Sequence, residues 1–298
     1  MSGGVNPTFP EWMQSEWDDA IIHMYQDKGG RVANTVRRKV VTDAKDMIFR
    51  SIGKIEVDKI KGDGKRKRSG AQRQKITLTP EAVGALLEVK EANLERLTPD
   101  DRDHQQMEAY KGFSRDLDNV VVKAMAAGAK ATGIGGAGDF MSPVLVDYMW
   151  EVLEDNGIYE GEEAVYGLIS SRAHSQLKRF KEYANADYTG EALPYGMKGK
   201  TWNNIHWITF SRLPTTAATY AAKTGVRDCF VYTSESVGLG ILQQQRTIWS
   251  WENEEDLWLG NMKAERDSKV LIENGIFNFK VDESIIPESI DPETYAVS

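Results

Sequence analysis

The segment from Lys59 to Lys75 sets the tightest limit on how this chain folds. It holds eight basic residues (Lys59, Lys61, Lys65, Arg66, Lys67, Arg68, Arg73 and Lys75) and a single acid, Asp63. Gly62, Gly64 and Gly70 interrupt it. Glycines and a like-charge cluster cannot form a core segment, because no burial or pairing offsets the cost of ordering them. The flanks read differently. Met47, Phe49 and Ser51 alternate with Ile48 and Arg50, and Ile55, Val57 and Ile60 follow. The return limb carries Ile76 and Leu78, then Leu86, Leu87, Val89 and Leu94. This alternation around a turn-rich basic centre predicts a long hairpin over residues 40–97 with a basic tip. An isolated two-stranded hairpin is marginal in water, and the sequence offers no obvious internal surface for this one. It points to a ribbon resting on a neighbouring molecule.

The rest of the chain is acidic. Net charge over the 298 residues is −8, and the basic segment carries +7, so the remainder carries −8 − 7 = −15. A general DNA binder would be basic over a whole face, whereas a basic island on an acidic body fits a local arm seeking an acidic partner, another copy of the chain included. Glu252, Glu254, Glu255 and Asp256 form a candidate acceptor for that arm. Two other readings of the tip stay open: a solvated loop, and a phosphate-binding one. The tip has no aromatic residue between Lys59 and Lys75, so it lacks the stacking platform of single-strand binders.

Hydrophobic residues at 41% and charged residues at 28% fit a folded globular chain. No apolar run approaches the roughly 18–20 residues of a membrane span, and no secretory signal is visible at Met1-Ser2-Gly3-Gly4. Cys229 is the only cysteine, which rules out an intrachain disulfide and fits synthesis in a reducing cytoplasm.

Along the chain, a first helix candidate spans residues 9–28. Thr8 and Glu11 have capping-box spacing, and Met13, Trp17, Ala20, Ile21 and Met24 share one face. It reads either as a helix packing on its own domain or as an arm docking on a neighbour, and Gly29-Gly30 ends it. Thr98-Pro99-Asp100-Asp101 supplies an N-cap, a proline and first-turn acids for a long helix reaching about Ala127. Its expected inner face is Met107, Tyr110, Ser114, Leu117, Val121, Ala124 and Gly128. Residues 128–139 read as a glycine-rich break with Gly133, Gly135, Gly136 and Gly138 as a hinge. Ser142-Pro143 caps another helix, with Leu145, Tyr148, Met149 and Val152 inward and Gly157 closing it. Further expectations are a strand over 165–170, a helix over 172–184, a loop over 187–200, a strand over 204–212, a short strand over 229–233, a helix over 234–243, and strands from 247 to 281 with a turn at Gly275. Interleaved strands and helices without a βαβ period give an α+β class.

No motif carries chemistry. Gly133-Ile134-Gly135-Gly136-Ala137-Gly138 matches a dinucleotide fingerprint, but helix text precedes it and the next helix starts only at Ser142-Pro143. Gly199-Lys200-Thr201 looks like the end of a phosphate loop, yet Pro194 stands where its first glycine belongs. His23, His104, His174 and His206 share no zinc spacing. No catalytic residue, cofactor or metal is expected.

The order of parts resembles the major capsid proteins of tailed bacteriophages. The resemblance is carried by Gly29-Gly30-Arg31-Val32 after the arm helix, by Asp100 to Ala127 as a spine helix, by Val165 to Tyr188, and by Ser268 to Phe279 as a C-terminal hairpin. It implies the tailed-phage capsid fold: an N-terminal arm (1–39), an extended loop over a neighbouring subunit (40–97), a peripheral domain (98–135 and 246–298) and an axial domain (136–245). It further implies pentamers and hexamers of the chain itself, an icosahedral shell around packaged DNA, a virion location, scaffold, portal and decoration proteins as partners, and no enzymatic activity. An encapsulin-like cargo shell shares that fold and remains an alternative, as does a nucleic-acid-binding module built on residues 59–75.

Overall fold

The computed structural model describes residues 29–41, 46–52, 73–90, 101–159, 163–180, 183, 201–219, 222 and 224–285. The arm helix expected at residues 9–28 and the loop expected at 187–200 lie outside the described residues. Among the described ones, the chain is α+β, as the interleaving predicts.

A four-stranded sheet has the order β1 (Arg37–Val40), β10 (Val237–Glu252), β11 (Leu257–Val270), β4 (Glu81–Lys90). A six-stranded sheet has the order β5 (Lys130–Gly135), β12 (Ile276–Asp282), β9 (Val226–Thr233), β6 (Val165–Ile169), β8 (Ile205–Thr209), β7 (Thr201–Trp202). Strands β2 (Met47–Ile52) and β3 (Arg73–Leu78) form a separate antiparallel pair. The hairpin expectation holds for that pair, but β4 is not its continuation. It leaves to join β11, with Glu81 opposite Arg266 and Lys90 opposite Leu257.

Helix α1 (Asp101–Gly128) runs 28 residues, or about 42 Å, and packs on β11, β10 and β4. Its inner face is only partly the expected one. Phe113, Val121, Val122 and Met125 are buried, whereas Met107 and Tyr110 are 51% and 54% exposed. In the first half, contact passes to Ala109 and Phe113 against Met262 and Ala264. A straight helix over a twisted sheet cannot keep one residue row in contact along its whole length.

Helix α2 (Pro143–Asp155) is capped as expected, with Leu145 N–H donating to Ser142 Oγ, and Leu145, Met149 and Leu153 are buried. Tyr148, expected inward, is exposed, and Trp150 takes that role. Helix α3 (Ser171–Leu177) is shorter than expected.

Two expectations fail in the same way. Residues 234–236 form a turn and residues 237–243 the start of β10, not a helix. Val237 to Ile241 are buried in succession, because β1 lies parallel on one edge and β11 antiparallel on the other. Residues 130–135 form β5, parallel to β12, instead of a break. The expected C-terminal hairpin is also not one: β11 and β12 lie in different sheets, linked by a single 3-10 turn at Glu273–Gly275. The sheets cut across the domain division drawn from sequence, since β5 and β12 share a sheet with β6, β8 and β9.

One core joins α2, α3, the second half of α1, the six-stranded sheet and the inner end of β10. The chain enters this core through a clamp. Asp118, fully buried on α1, accepts hydrogen bonds from the backbone N–H groups of Arg31, Val32 and Ala33 at 3.1, 3.0 and 2.9 Å. Asp118→Ala leaves these amides without their acceptor. At roughly 1–3 kcal/mol per orphaned buried group, we expect a loss of about 3 kcal/mol or more, read as a lower denaturant midpoint with the slope unchanged.

Gly135 has φ 76°, and a Cβ there would lie 1.9 Å from the Lys280 carbonyl oxygen. Gly135→Ala therefore separates β5 from β12. We expect hydrogen-exchange protection to fall at residues 130–135 while β9 keeps its own.

Candidate functional site

Polar residues are arranged here for holding chain segments together and for presenting charged ribbons. In the β2–β3 pair, Met47, Phe49 and Leu78 turn inward and pack with Leu271, flanked by Val41, Ile76 and Leu242. This corrects the reading that the hairpin has no surface within its own chain. Its base rests on the inner end of the β10–β11 pair, where Lys269 Nζ donates to the Thr77 carbonyl at 2.7 Å and the Thr79 N–H donates to Asp267 Oδ2 at 3.0 Å.

The other face of the base is cationic and exposed. Arg50 stands directly opposite Lys75, and Arg73 opposite Ile52. Like charges directly across a strand pair destabilise it. Lys59, Lys61, Lys65, Arg66, Lys67 and Arg68 lie outside the described residues.

The acidic candidate lies at the far end of the β10–β11 ribbon. Glu252, Glu254, Glu255 and Asp256 are exposed around its turn, with Asp256 at φ 47°. Below the turn, the Trp251 and Trp258 rings meet edge to face at 5.3 Å between centroids. Among the described residues, no cation lies within ion-pair distance of any of the four acids. From Leu257 to Asp267 is ten residues, or about 33 Å along β11, so the acidic turn and the hairpin base stand at opposite ends of one ribbon.

The four candidate hinge glycines divide between two settings. Gly133 and Gly135 are within β5, and Gly136 and Gly138 follow it. The first half of the G-x-G-x-x-G text thus lies inside a strand, and the N-terminus of α2 is already occupied by the Ser142 cap. Thr201 opens strand β7, so the Gly199-Lys200-Thr201 text leads into a strand rather than a phosphate-binding helix.

Sequence reading missed the buried polar cluster at the C-terminal end of β12. The Arg227 guanidinium pairs with Glu283 at 2.8 Å, both fully enclosed, and also donates to the carbonyls of Ser211 and Leu213. Gln176 accepts from the Met141 N–H and donates to the carbonyls of Asp282 and Ile285. Asp282 accepts from the Ser284 hydroxyl and N–H and from the Gly138 N–H. The Ser284 hydroxyl lowers its pKa most, partial burial opposes this, and the two amides add to the lowering. Asp282 therefore contributes stability above the ordinary aspartate range, lost as pH falls through its depressed value. Apart from the Asp282–Ser284 contacts, which span two residues, the partners are far apart in sequence, which leaves no local signal. Asp118 did leave one: an acid between Leu117 and Val120-Val121-Val122.

Among the described residues, the Cys229 thiol and the Tyr183 hydroxyl are buried, whereas His206 is exposed. Cys229 is buried, and burial above all pushes its thiol up to about 12, so it stays protonated and out of reach of solvent. His174 Nε2 meets the Tyr183 hydroxyl at 2.9 Å, and burial pushes that hydroxyl up to about 12. His206 contacts the Thr201 hydroxyl and the Tyr166 ring. Among the described residues, no three His, Cys, Asp or Glu side chains gather as for a metal ion, and no helix is long and apolar enough to cross a membrane.

A cleft of about 730 Å³ opens between the first half of α1 and β4, walled by Val83, Ala85 and Leu87 on one side and Ala109 and Phe113 on the other.

No curated protein sequence matches the chain. Solved structures do. The capsid of a native GTA particle superposes with a TM-score of 0.70 at 12% identity, covering 95% of this chain and 99% of its own. The capsid of cyanophage Pam1 gives 0.69 at 12% identity, covering 94% and 99%. Mycobacterium phage Che8 gives 0.67 at 12% identity, covering 93% and 98%. These likenesses establish the tailed-phage capsid fold. The model of one family, phage capsid protein, matches residues 9–283. With nearly the full length matched and the fold shared end to end, the chain belongs to the phage capsid protein family.

Proposed function

We propose that this chain is the major capsid protein of a tailed phage, assembling through pentamers and hexamers into the icosahedral shell that encloses the genome. The observation that carries this reading is the family match over residues 9–283, on a fold whose recognisable polar clusters hold structure instead of performing chemistry. Packaged DNA is enclosed without sequence-specific recognition, and scaffold, portal and decoration proteins complete the particle. Residues 1–39 act as the arm, and the part of residues 40–97 beyond the β2–β3 base acts as the extended loop over a neighbour.

A shell protein makes contacts that are weak singly and strong in number. The cationic ribbon suits this. Arg50 and Lys75 repel each other across the β2–β3 pair, and nearby anions relieve that repulsion. The acidic turn Glu252, Glu254, Glu255 and Asp256 is exposed on the same chain but about 33 Å along β11 from the hairpin base. In a lattice of identical copies, the turn of one subunit supplies anions to the ribbon of the next.

Electron microscopy of the purified full chain tests the main reading. Uniform round particles are expected, and a chain that stays monomeric under all assembly conditions, scaffold included, would remove it. Particles filled with protein cargo and free of DNA in infected cells would point to an encapsulin-like shell instead.

The ribbon pairing has a separate readout. Reversing Lys65 to Arg68 to glutamates should lower assembly yield at least tenfold at low salt. Reversing Glu252, Glu254, Glu255 and Asp256 to lysines in the same chain should restore much of it. Equal yields in all three proteins would mean the two ribbons do not meet.

A further inference from the structure

The four-stranded sheet carries α1 on one face. Val83, Ala85, Met262 and Ala264 turn toward that helix, so strand alternation sends Leu86, Asn261 and Ile248 to the other face. Leu86 stands opposite Asn261, and Asn261 opposite Ile248, which makes one row across three strands. Leu86 is 59% and Ile248 51% exposed. In the next row toward the core, Arg246 stands directly opposite Lys263, and both are exposed. Like charges so placed repel, and among the described residues neither has an ion-pair partner. The face thus presents an apolar row beside an unrelieved cationic one.

Helix α2 carries the complement. Val144, Tyr148, Glu151 and Asp155 follow one another at steps of four, three and four residues, which puts them in one stripe along the helix. All four are exposed, Val144 by 46% and Tyr148 by 53%. The helix contains no Lys or Arg. Its acids gather toward the C-terminal end, with Glu154 beside the stripe. That end of a helix is already electronegative and favours a cation. The stripe is therefore apolar at its start and acidic at its end. Tyr148 to Glu151 is three rises, about 4.5 Å, and the apolar and cationic rows of the sheet are two residues or about 7 Å apart, a difference that the long Arg and Lys side chains span. Both surfaces are exposed on the same chain, so neither covers the other within it.

We propose that the α2 stripe of one copy docks on the outer face of the four-stranded sheet of a second copy, with Val144 and Tyr148 against Leu86 and Ile248, and with Glu151 and Asp155 facing Arg246 and Lys263. The contact joins two different surfaces, so copies linked in this way close into a ring or continue as a filament. Each contact is small, and repetition around a closed ring makes it effective. It names one subunit interface of the proposed shell and rests on that reading for the supply of neighbouring copies.

Single cysteines in the full chain test the contact, since the native Cys229 is buried. Tyr148→Cys and Ile248→Cys chains are oxidised separately and as an equal mixture, under the conditions used for microscopy. The mixture should give at least ten times more linked dimer than either chain alone. As much product from one chain alone would mean that like faces meet, and no link in the mixture would mean that the two faces do not meet; both results overturn the proposal. Charge supplies a second measurement. Arg246→Glu with Lys263→Glu in the Ile248→Cys chain should cut the linked yield at least tenfold, and Glu151→Lys with Asp155→Lys in the Tyr148→Cys chain should restore most of it. A yield indifferent to these reversals would also overturn the proposal. Round particles without the link would remove this contact and leave the shell reading, whereas linked dimers without particles would keep the contact and remove the shell.

Discussion

One pair of strands, irregular in register between Ile241 and Arg246, carries the common core outward to an exposed turn. β10 and β11 are 16 and 14 residues long, about 50 Å at the usual rise. At the inner end Val237, Leu239 and Ile241 are buried in the common core. At the outer end the same strand alternates between exposed and half-covered residues until both stop at an acidic turn. β1 joins one edge, β4 the other, α1 covers one face, and the β2–β3 pair rests near Leu271. A ribbon this long cannot hold its shape alone. The helix and the extra strands stiffen it, and in return the ribbon places them.

That dual role explains where the sequence misleads. A strand buried on both faces loses the period-two signal, so Val237 to Ile241 resemble any short apolar run. β5 needs a glycine at φ 76° to pass under the Lys280 carbonyl, and glycines in a row read as interruption. Elements that carry their own end signals were legible: Ser142-Pro143 with Gly157 brackets α2. Of the basic segment, Arg73 and Lys75 are exposed, as their charge leads one to expect, and Lys59 to Arg68 lie outside the described residues. The surface beneath the base of the hairpin was not legible, because Leu242 in β10 and Leu271 just after β11 lie almost two hundred residues further on.

The buried polar contacts share one logic. Asp118, Gln176, Arg227 and Glu283 each tie together segments remote in sequence. Burying such groups is costly unless every partner is in place. They add less to net stability than to uniqueness: a chain that docks residues 31–33 or the end of β12 in the wrong place leaves amides and charges unsatisfied. For a protein proposed to repeat many times in one lattice, a single well-defined subunit shape matters more than an excess of stability.

The same reasoning separates what the fold requires from what assembly would use. The core needs apolar volume, a few glycines at fixed backbone geometry and the buried clamps. It places almost no demand on the exposed side chains of the β2–β3 ribbon or of the β10–β11 turn. Those positions are free to carry charge, and they do so with opposite sign at opposite ends of one framework. A subunit built this way can change its neighbour contacts by changing surface charge while its interior stays as it is. Very different sequences can then share this architecture end to end, because the framework asks for strand length, burial and clamp geometry, and many sequences supply those.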